Sequence, residues 1–560
     1  MADSGRKGTY MGLDIGRVNT RVSIFGISEG KYRLLGCESA ITGFGNGKHM
    51  AAGVHQALGK LEQKLDLSFT HPSERETNEF TFVKQMVDQV GLTLSAFPPI
   101  KATLFGLTER GSLAAGLALA ENLPVSLVGA YGSADLADEN TVIEGLLQSR
   151  PEIMILTGGT DGGVEAPINR WIEVIRLVCR VLPENARPAV FFAGNPNLES
   201  ILRRRLEPTC TLFVLPNLQP VTGERDDVPL HGALTRQAIS MSMEELTGLR
   251  GLTQLAGNLV GTRGFMLDRM VRYISRSKTQ RSKSEDGEIL AIDLGAGSTM
   301  VCAGNKGRSL ARRLDARDDA IEDWIGFAEG PVHHWAAAPV SRAEAGAYLA
   351  NQHFFPELIP QTLTDLALSQ SLARLRIRSA LSGLPERSDR FAYEPERGLL
   401  GHYEPIIASG SMLTDAPTPG QAMLMLLDGL QPWRQTHLIL DRYHLLPVLG
   451  LLGEAEPLLP VQVLASDAFE NLGAVIPVVS DVADGVMVAS INVTTASEKS
   501  YAVDIPKGAL RRLVVPAGEW VTLDLEPIAE ADAGSGFGVS HHVRVKGGTL
   551  GVVMMRAAGP

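Results

Sequence analysis

The sequence predicts an α/β protein built from two similar halves, followed by a β-rich C-terminal region. Three observations predict it. Residues 289–304, ILAIDLGAGSTMVCAG, are an apolar run ending in Asp293, a turn of small residues and a second apolar run. Residues 11–26, MGLDIGRVNTRVSIFG, repeat that design, with Asp14 against Asp293, Gly16 against Gly295 and Thr20 against Thr299. Residues 405–412, PIIASGSM, run a buried strand into Ser409, Gly410 and Ser411, shortly before a helical pattern over 420–430.

Each element has a physical reading. An apolar run, a tight glycine turn and a second apolar run make an antiparallel hairpin. Gly295 and Gly297 let the backbone approach a ligand and aim its N–H groups at it, which suits a phosphate. Ser298 and Thr299 add hydroxyl donors. Asp14 and Asp293, at strand ends, suit a hydrated Mg²⁺. One such turn is an ordinary hairpin; two turns half a chain apart, with a third small-residue turn after them, predict two halves facing each other across a cleft.

Composition sets bounds. A chain of 560 residues holds more than one domain. With 44% apolar and 21% charged residues it reads as an ordinary globular protein. A net charge of −11 without a basic stripe argues against a nucleic-acid surface. No apolar run reaches the length of a bilayer span, and the first ten residues, MADSGRKGTY, lack an apolar signal core. Cys37, Cys179, Cys210 and Cys302 lie far apart with no CxxC, which fits buried free thiols in a reducing cytoplasm.

Taken in order, residues 31–40 add a third strand to the first hairpin. Residues 44–50, FGNGKHM, lack the glycine spacing and the Ser or Thr of a P-loop and read as a solvated loop. Residues 71–80 are polar and exposed. A Gly/Ala-rich stretch and the short strand VSLVG lie between 101 and 128, and residues 141–148 have helical spacing. Residues 152–156, EIMIL, open into Thr157, Gly158, Gly159, Thr160, Asp161, Gly162 and Gly163, a loop of four glycines and one acid. Helices over 169–182 and 197–206 alternate with strands over 189–192 and 211–215. That alternation predicts a parallel sheet, and TGGTDGG stands at the carboxyl end of one strand, where such sheets bind ligands. Residues 275–287, SRSKTQRSKSEDG, read as a linker. Helices over 318–328, 342–353, 363–381, 420–430 and 445–452 and strands over 405–408 and 437–440 make the second half. From about residue 460 short β-type runs parted by Gly and Pro take over. The expected division is 1–274, a linker over 275–288, 289–459 and a β-rich domain over 460–560.

The two hairpins and the Ser409–Gly410–Ser411 turn together resemble the ATPase superfamily of actin, heat-shock chaperones and sugar kinases. The resemblance implies duplicated actin-like, ribonuclease H-like domains. More specifically, the first hairpin, TGGTDGG, the AGNPN turn over 193–197, PNLQP over 216–220, the second hairpin and SGSMLTDAPTPGQAM through LLDGLQP over 409–432 resemble the MutL/GlmL family, encoded beside coenzyme-B12-dependent glutamate mutase. The segments SDAFENLG and GGTLGVVMMRAAGP resemble its long form. This implies a cytoplasmic accessory protein that binds ATP and Mg²⁺ and helps a B12-dependent mutase shed damaged cofactor. It has a protein partner, and homo-oligomerisation stays open. Asp14 and Asp293 would hold the Mg²⁺ through water. Gly16, Thr20, Gly295, Gly297, Ser298 and Thr299 would grip phosphates, and Gly410 and Ser411 would face adenosine. Gly158, Gly159, Thr160 and Asp161 would line the cleft, with Asp161 and Glu165 the candidates to position an attacking water.

The sequence departs from the family pattern at Met300, Ala296, Arg17 and Ser411, each a change in a nucleotide loop. A slow ATPase, a non-hydrolysing scaffold that works through its C-terminal region, and a small-molecule kinase or hydantoinase-type enzyme therefore all stay open. No histidine has an Asp two residues before it, so the DxHxxG cobalamin motif is missing. The cysteines do not match a bridging iron–sulfur cluster. Neighbouring side chains diverge on regular elements, so His333–His334 and His541–His542 are not expected to ligate metal.

Overall fold

A computed structural model describes residues 8–556, apart from 43–48, 72–79, 82, 96–99, 124, 222–224, 244–245, 282–287, 316–320, 386–390 and 499. The loop expected over 44–50 and the polar stretch over 71–80 therefore lie largely outside the described residues, as do residues 282–287 of the expected linker.

The first sheet starts with a meander of β1 (Tyr10–Ile15), β2 (Asn19–Ser28) and β3 (Lys31–Ile41). Helix α1 (Met50–Leu65) follows, and β4 (Gln89–Leu94) then returns parallel to β1. Every residue of β1 is buried, as a continuous apolar run covered on both faces should be. The chain next builds a separate all-parallel sheet from β5 (Ile100–Phe105), β6 (Val125–Tyr131), β7 (Ile153–Gly158), β8 (Ala189–Gly194) and β9 (Leu212–Val214). Its order is β6-β5-β7-β8-β9, a doubly wound arrangement. Helices α2 (Ser112–Ala120) and α4 (Val228–Ser242) cover one face around Leu104, Phe191 and Leu234, while α3 (Ala166–Val181) covers the other around Trp171 and Phe192. The strand β10 (Val260–Thr262) completes the first sheet beside β4, giving the order β10-β4-β1-β2-β3.

The second half repeats this. Strands β11 (Ile289–Leu294), β12 (Ser298–Asn305) and β13 (Arg308–Asp315) form the meander. A small hairpin of β14 (Tyr393–Glu394) and β15 (Gly398–Leu399) precedes β16 (Ile406–Ser409) and β17 (Thr436–Leu440), which run parallel to β11. The order β13-β12-β11-β16-β17 matches the first sheet strand for strand, with only the second strand antiparallel to the rest. The chain is thus an α/β protein with two ribonuclease H-like sheets in the duplicated actin-like arrangement. Helices expected over 363–381, 420–430 and 445–452 are found as Leu363–Ser382, Pro419–Leu430 and Leu445–Leu452.

Two expected boundaries do not coincide with breaks in the structure. Ser275 begins the expected linker, yet α5 (Arg263–Arg281) continues over its first residues, 275–281. Its apolar stripe of Leu267, Met270, Val271 and Ile274 fixes the helix, and a polar continuation keeps the same backbone. The boundary at 460 falls inside the helix Leu458–Leu464. Beyond it, β18 (Glu470–Ser480) pairs with β17, because its apolar run can be buried on both faces. The remaining strands are β19 (Met487–Thr495), β20 (Ser500–Pro506), β21 (Arg511–Leu513), β22 (Trp520–Pro527), β23 (Ala531–Asp532), β24 (His541–Lys546) and β25 (Val552–Arg556). Strands β25 and β21 extend the second sheet, and β20-β19-β22-β24 form a further sheet against it. Among the described residues no helix is long and apolar enough to cross a membrane.

The halves meet through two helices. Helix α5 follows the fifth strand of the first sheet, and α6 (Leu445–Leu452) follows the fifth strand of the second. Each covers the other half's sheet: α6 packs on β1 and β4, and α5 on β11 and β12. Tyr10, Phe25, Leu267, Val271, Ile289, Cys302, Val448 and Leu452 share this core. The approach is close. A Cβ on Gly12 would fall 2.1 Å from Val448 Cγ1, and one on Gly450 would fall 2.6 Å from the Met266 carbonyl oxygen. Beneath α5, the buried His231 of α4 stacks on Phe265 at 3.7 Å and bonds to Thr262 Oγ1 at 2.8 Å.

Two predictions follow from this packing. Gly→Ala within a helix ordinarily stabilises by about 1 kcal/mol. Gly450→Ala is expected to destabilise instead, because overpacking costs about 1–3 kcal/mol; a raised urea midpoint would remove the close-approach account. Burial pushes His231 down from 6.5 to about 3. The unfolded chain therefore binds a proton that the folded chain refuses, so stability present above pH 6.5 is lost as pH falls from there towards 3. His231→Gln should flatten the fall in urea midpoint between about pH 7 and 5 relative to the parent; an unchanged slope would rule His231 out as its source.

Candidate functional site

Strands β1, β11 and β17 bring an aspartate to their carboxyl ends: Asp14 in β1, Asp293 in β11 and Asp441 directly after β17. The parallel pairing aligns these ends. Asp14 stands beside Thr93 of β4, and Asp293 beside Ser409 of β16. The residue between the carboxylates is Arg263, the first of α5. Asp14, Asp293, Asp441 and Arg263 are 1%, 8%, 0% and 9% exposed.

The guanidinium spans both halves. Its Nη1 lies 3.3 Å from Asp14 Oδ2, and its Nε lies 2.8 Å from Asp293 Oδ2. These are ion pairs off the hydrogen-bond line. Nη2 donates to Asp293 Oδ1 at 3.1 Å and to His444 Nδ1 at 2.6 Å. An arginine can only donate, so His444 Nδ1 accepts and the imidazole is neutral. Its proton sits on Nε2, facing Thr414 Oγ1 at 3.2 Å. Burial, with Arg21 and Arg263 adding to it, holds the His444 pKa well below its ordinary value. Thr93 Oγ1 donates to Asp14 Oδ1 at 2.9 Å. Asp441 accepts from the backbone N–H groups of Leu445 and Leu446 at 2.9 and 3.0 Å, so it caps α6. Burial pushes its pKa up to about 6 and that of Asp293 up as well. Burial also works against the Arg263 charge, but Asp14, Asp293 and Asp441 outweigh it and keep the guanidinium charged. The buried Arg21 stands opposite Asp14 in the β1–β2 register, its pKa lowered by burial and by Arg263.

Above this cluster lie the two hairpin turns. Gly16 N–H donates to the Asn19 carbonyl at 2.9 Å and Gly295 N–H to the Ser298 carbonyl at 3.0 Å, so the turns close alike. They meet: a Cβ on Gly297 would lie 3.2 Å from Arg17 Cδ. Arg376, from the helix Leu363–Ser382, donates to the Gly295 carbonyl at 3.2 Å and braces the second turn. Ser298 is half-buried at the turn. Thr20 and Thr299 are buried beneath the turns, and Thr20 bonds to Thr42 at 3.0 Å. Gly410, at φ +98, serves a close approach, since a Cβ there would lie 2.2 Å from the carbonyl carbon of Leu294. Ser411 opens the short helix Ser411–Thr414.

The TGGTDGG loop belongs to the inserted sheet. Gly158, Gly159, Thr160 and Asp161 follow β7 of the inserted sheet, and Glu165 precedes α3. Asn217 donates to Asp161 at 2.8 Å, and Asn195 holds Gly162 and Gly163. Among the described residues no hydrogen bond or ion pair joins this loop to Asp14, Asp293 or Arg263. The βαβ pattern foretells a parallel sheet but not that its strands pair only with one another.

At the Asp14–Asp293 pair, where Mg²⁺ is expected, stands the Arg263 guanidinium. The guanidinium takes the space between the carboxylates and uses oxygens from both. Sequence reading missed Arg263, Asp441, His444 and Arg376. Asp441 had a signal: LILD at residues 438–441 ends an apolar strand in aspartate, as GLD and AID do. Arg263 had none.

The sequence model of a family described as "MutL protein" matches residues 10–468. No curated protein matches the chain. Among solved structures, nucleotide-free acetone carboxylase shares 12% identity, covers 90% of this chain and 81% of its own, and has a TM-score of 0.35. Nucleotide-free diol dehydratase-reactivating factor shares 13%, covers 75% and 94%, and has a TM-score of 0.27. The PilM–PilN type IV pilus biogenesis complex shares 13%, covers 76% and 88%, and has a TM-score of 0.24. Superpositions this loose carry no argument about mechanism, and the fold rests on the strand orders above. The family match runs from the first residue of β1 to just before β18, through both hairpins, and on that extent the chain belongs to the MutL protein family.

Proposed function

We propose that this protein is a nucleotide-binding accessory factor, a two-lobed cytoplasmic clamp that reactivates a coenzyme-B12-dependent mutase, with glutamate mutase as the client. Family membership supports the accessory role. The observation that carries the nucleotide reading is the meeting of the Gly16 and Gly297 turns, with Arg17 between them and a charged cluster beneath. Such turns offer N–H groups to phosphate oxygens from both halves at once. A ligand that bridges them favours one crossing of α5 over α6, and its release favours another.

Turnover has less support. Asp161 and Glu165, the candidates for positioning water, belong to the inserted sheet, and Arg263 takes the place expected for a metal. These two observations favour binding with slow hydrolysis, or none, and so keep the scaffold reading as the second choice. No observation favours a kinase or hydantoinase-type activity.

Calorimetric titration with ATP and with ADP should give saturable binding near one site per chain. Gly297→Asp, which sets a carboxylate against the phosphates, should weaken it by about tenfold or more, about 1.4 kcal/mol. Absence of saturable binding would end the nucleotide reading. With a glutamate mutase inactivated by damaged cobalamin, addition of the protein and ATP should restore turnover when fresh coenzyme is present. Equal recovery without the protein would remove the client.

A further inference from the structure

The duplication makes Arg263 conspicuous. The first residue after the fifth strand of the second sheet is Asp441; the corresponding residue of the first sheet is Arg263. The Asp14–Asp293 pair keeps the symmetry of the two halves, and this pair of opposite charges breaks it. Helix dipoles give no reason for a cation there, because they favour positive charge at a helix C-terminus, and Arg263 begins α5. Its reason is the two carboxylates it lies between.

The cation is held from every side. Asp14 is fixed by Thr93, and His444 is kept as an acceptor by its proton on the Thr414 side. The preceding residue, Thr262, donates to the Asn122 carbonyl at 2.7 Å and is bonded by His231. The position is therefore built rather than adopted by a roaming surface arginine. The guanidinium also reaches the first turn, since a Cβ on Gly16 would lie 4.0 Å from Nη1.

We propose that Arg263 is a built-in counter-cation that replaces a divalent metal at Asp14 and Asp293, so that the cleft takes its phosphate-bearing ligand without Mg²⁺. A divalent ion needs carboxylate oxygens and water at short range. Here the guanidinium sets its N–H groups against Asp14 Oδ2 and both Asp293 oxygens. The charge that Mg²⁺ would bring to the phosphates comes from a side chain whose pKa keeps it charged at any working pH. The ligand half of this inference rests on the proposed nucleotide reading; the exclusion of metal does not.

The test titrates the full chain with Mn²⁺ and reads bound ion by electron paramagnetic resonance. The parent should bind no Mn²⁺ that Asp14→Asn or Asp293→Asn removes; a bound ion lost in either variant overturns the proposal. Arg263→Met should gain a site at least about tenfold tighter than any in the parent, lost again on adding Asp14→Asn, whereas Arg263→Lys should not gain it. A folded Arg263→Met, checked by circular dichroism, that gains no Mn²⁺ also overturns it. If that variant does not fold, the parent and the two asparagine variants decide. ADP should bind the parent with affinity equal within about twofold in EDTA and in Mg²⁺, and a tenfold dependence on Mg²⁺ overturns the proposal. If ADP does not bind at all, the nucleotide reading fails, and the Mn²⁺ titration still decides the role of Arg263.

Discussion

The ion cluster at Arg263 sets the terms for the rest of the molecule. Duplication brings Asp14 and Asp293 to facing strand ends, and burial makes two unpaired carboxylates there costly, because removing one partner of a buried ion pair costs about 3–5 kcal/mol. A single guanidinium resolves this for both halves. It reaches the site as the first residue of α5, the helix that also covers the second half's sheet. Charge pairing and apolar packing thus sit on one element. Helix α5 cannot shift on β11 and β12 without moving the cation away from Asp293, which β11 carries, and the halves cannot part without opening the cluster.

The exchange of α5 and α6 gives that coupling its geometry. Gly12 and Gly450 let the helices lie close enough for Val448 and Met266 to touch backbone that a side chain would otherwise hold off. Asp441 caps α6 while its charge acts on Arg263, so the two helices start at the same electrostatic centre. The hairpin turns lie directly over that centre. Arg376 holds one of them from behind, and Arg17 crosses from the other. An anion placed between the turns would act on the start of both helices together.

Much of this was legible in the sequence. The repeated hairpins reported the duplication because each strand, buried on both faces, must be continuously apolar, and each close turn needs glycine. The inserted sheet showed in the alternation of short apolar runs and amphipathic helices over 152–215. What remained hidden has physical reasons. A βαβ pattern fixes strand direction but not which sheet a strand joins, so TGGTDGG could be put at a strand end and not in a particular cleft. Arg263 lies in an amphipathic helix without a glycine motif, where an arginine looks like any solvated cation; only the fold brings it between two aspartates 249 residues before it and 30 after it. Asp441 was legible in principle, as a third apolar strand ending in aspartate. The continuation of the second sheet into β18 was not, since an apolar strand carries no mark of its neighbour.

That continuation has a mechanical meaning. From β11, which carries Asp293, an unbroken ladder runs through β16, β17, β18 and β25 to β21. Five strand spacings of about 4.8 Å make an arm of about 24 Å. A tilt of the second sheet at the aspartate end is therefore delivered enlarged to the far edge and to the β20-β19-β22-β24 sheet packed beside it. An angular change of about 10° at the cleft sweeps that edge by about 4 Å, on the scale of a strand spacing. A protein docked on the C-terminal strands would meet any angular change at the cleft as a displacement.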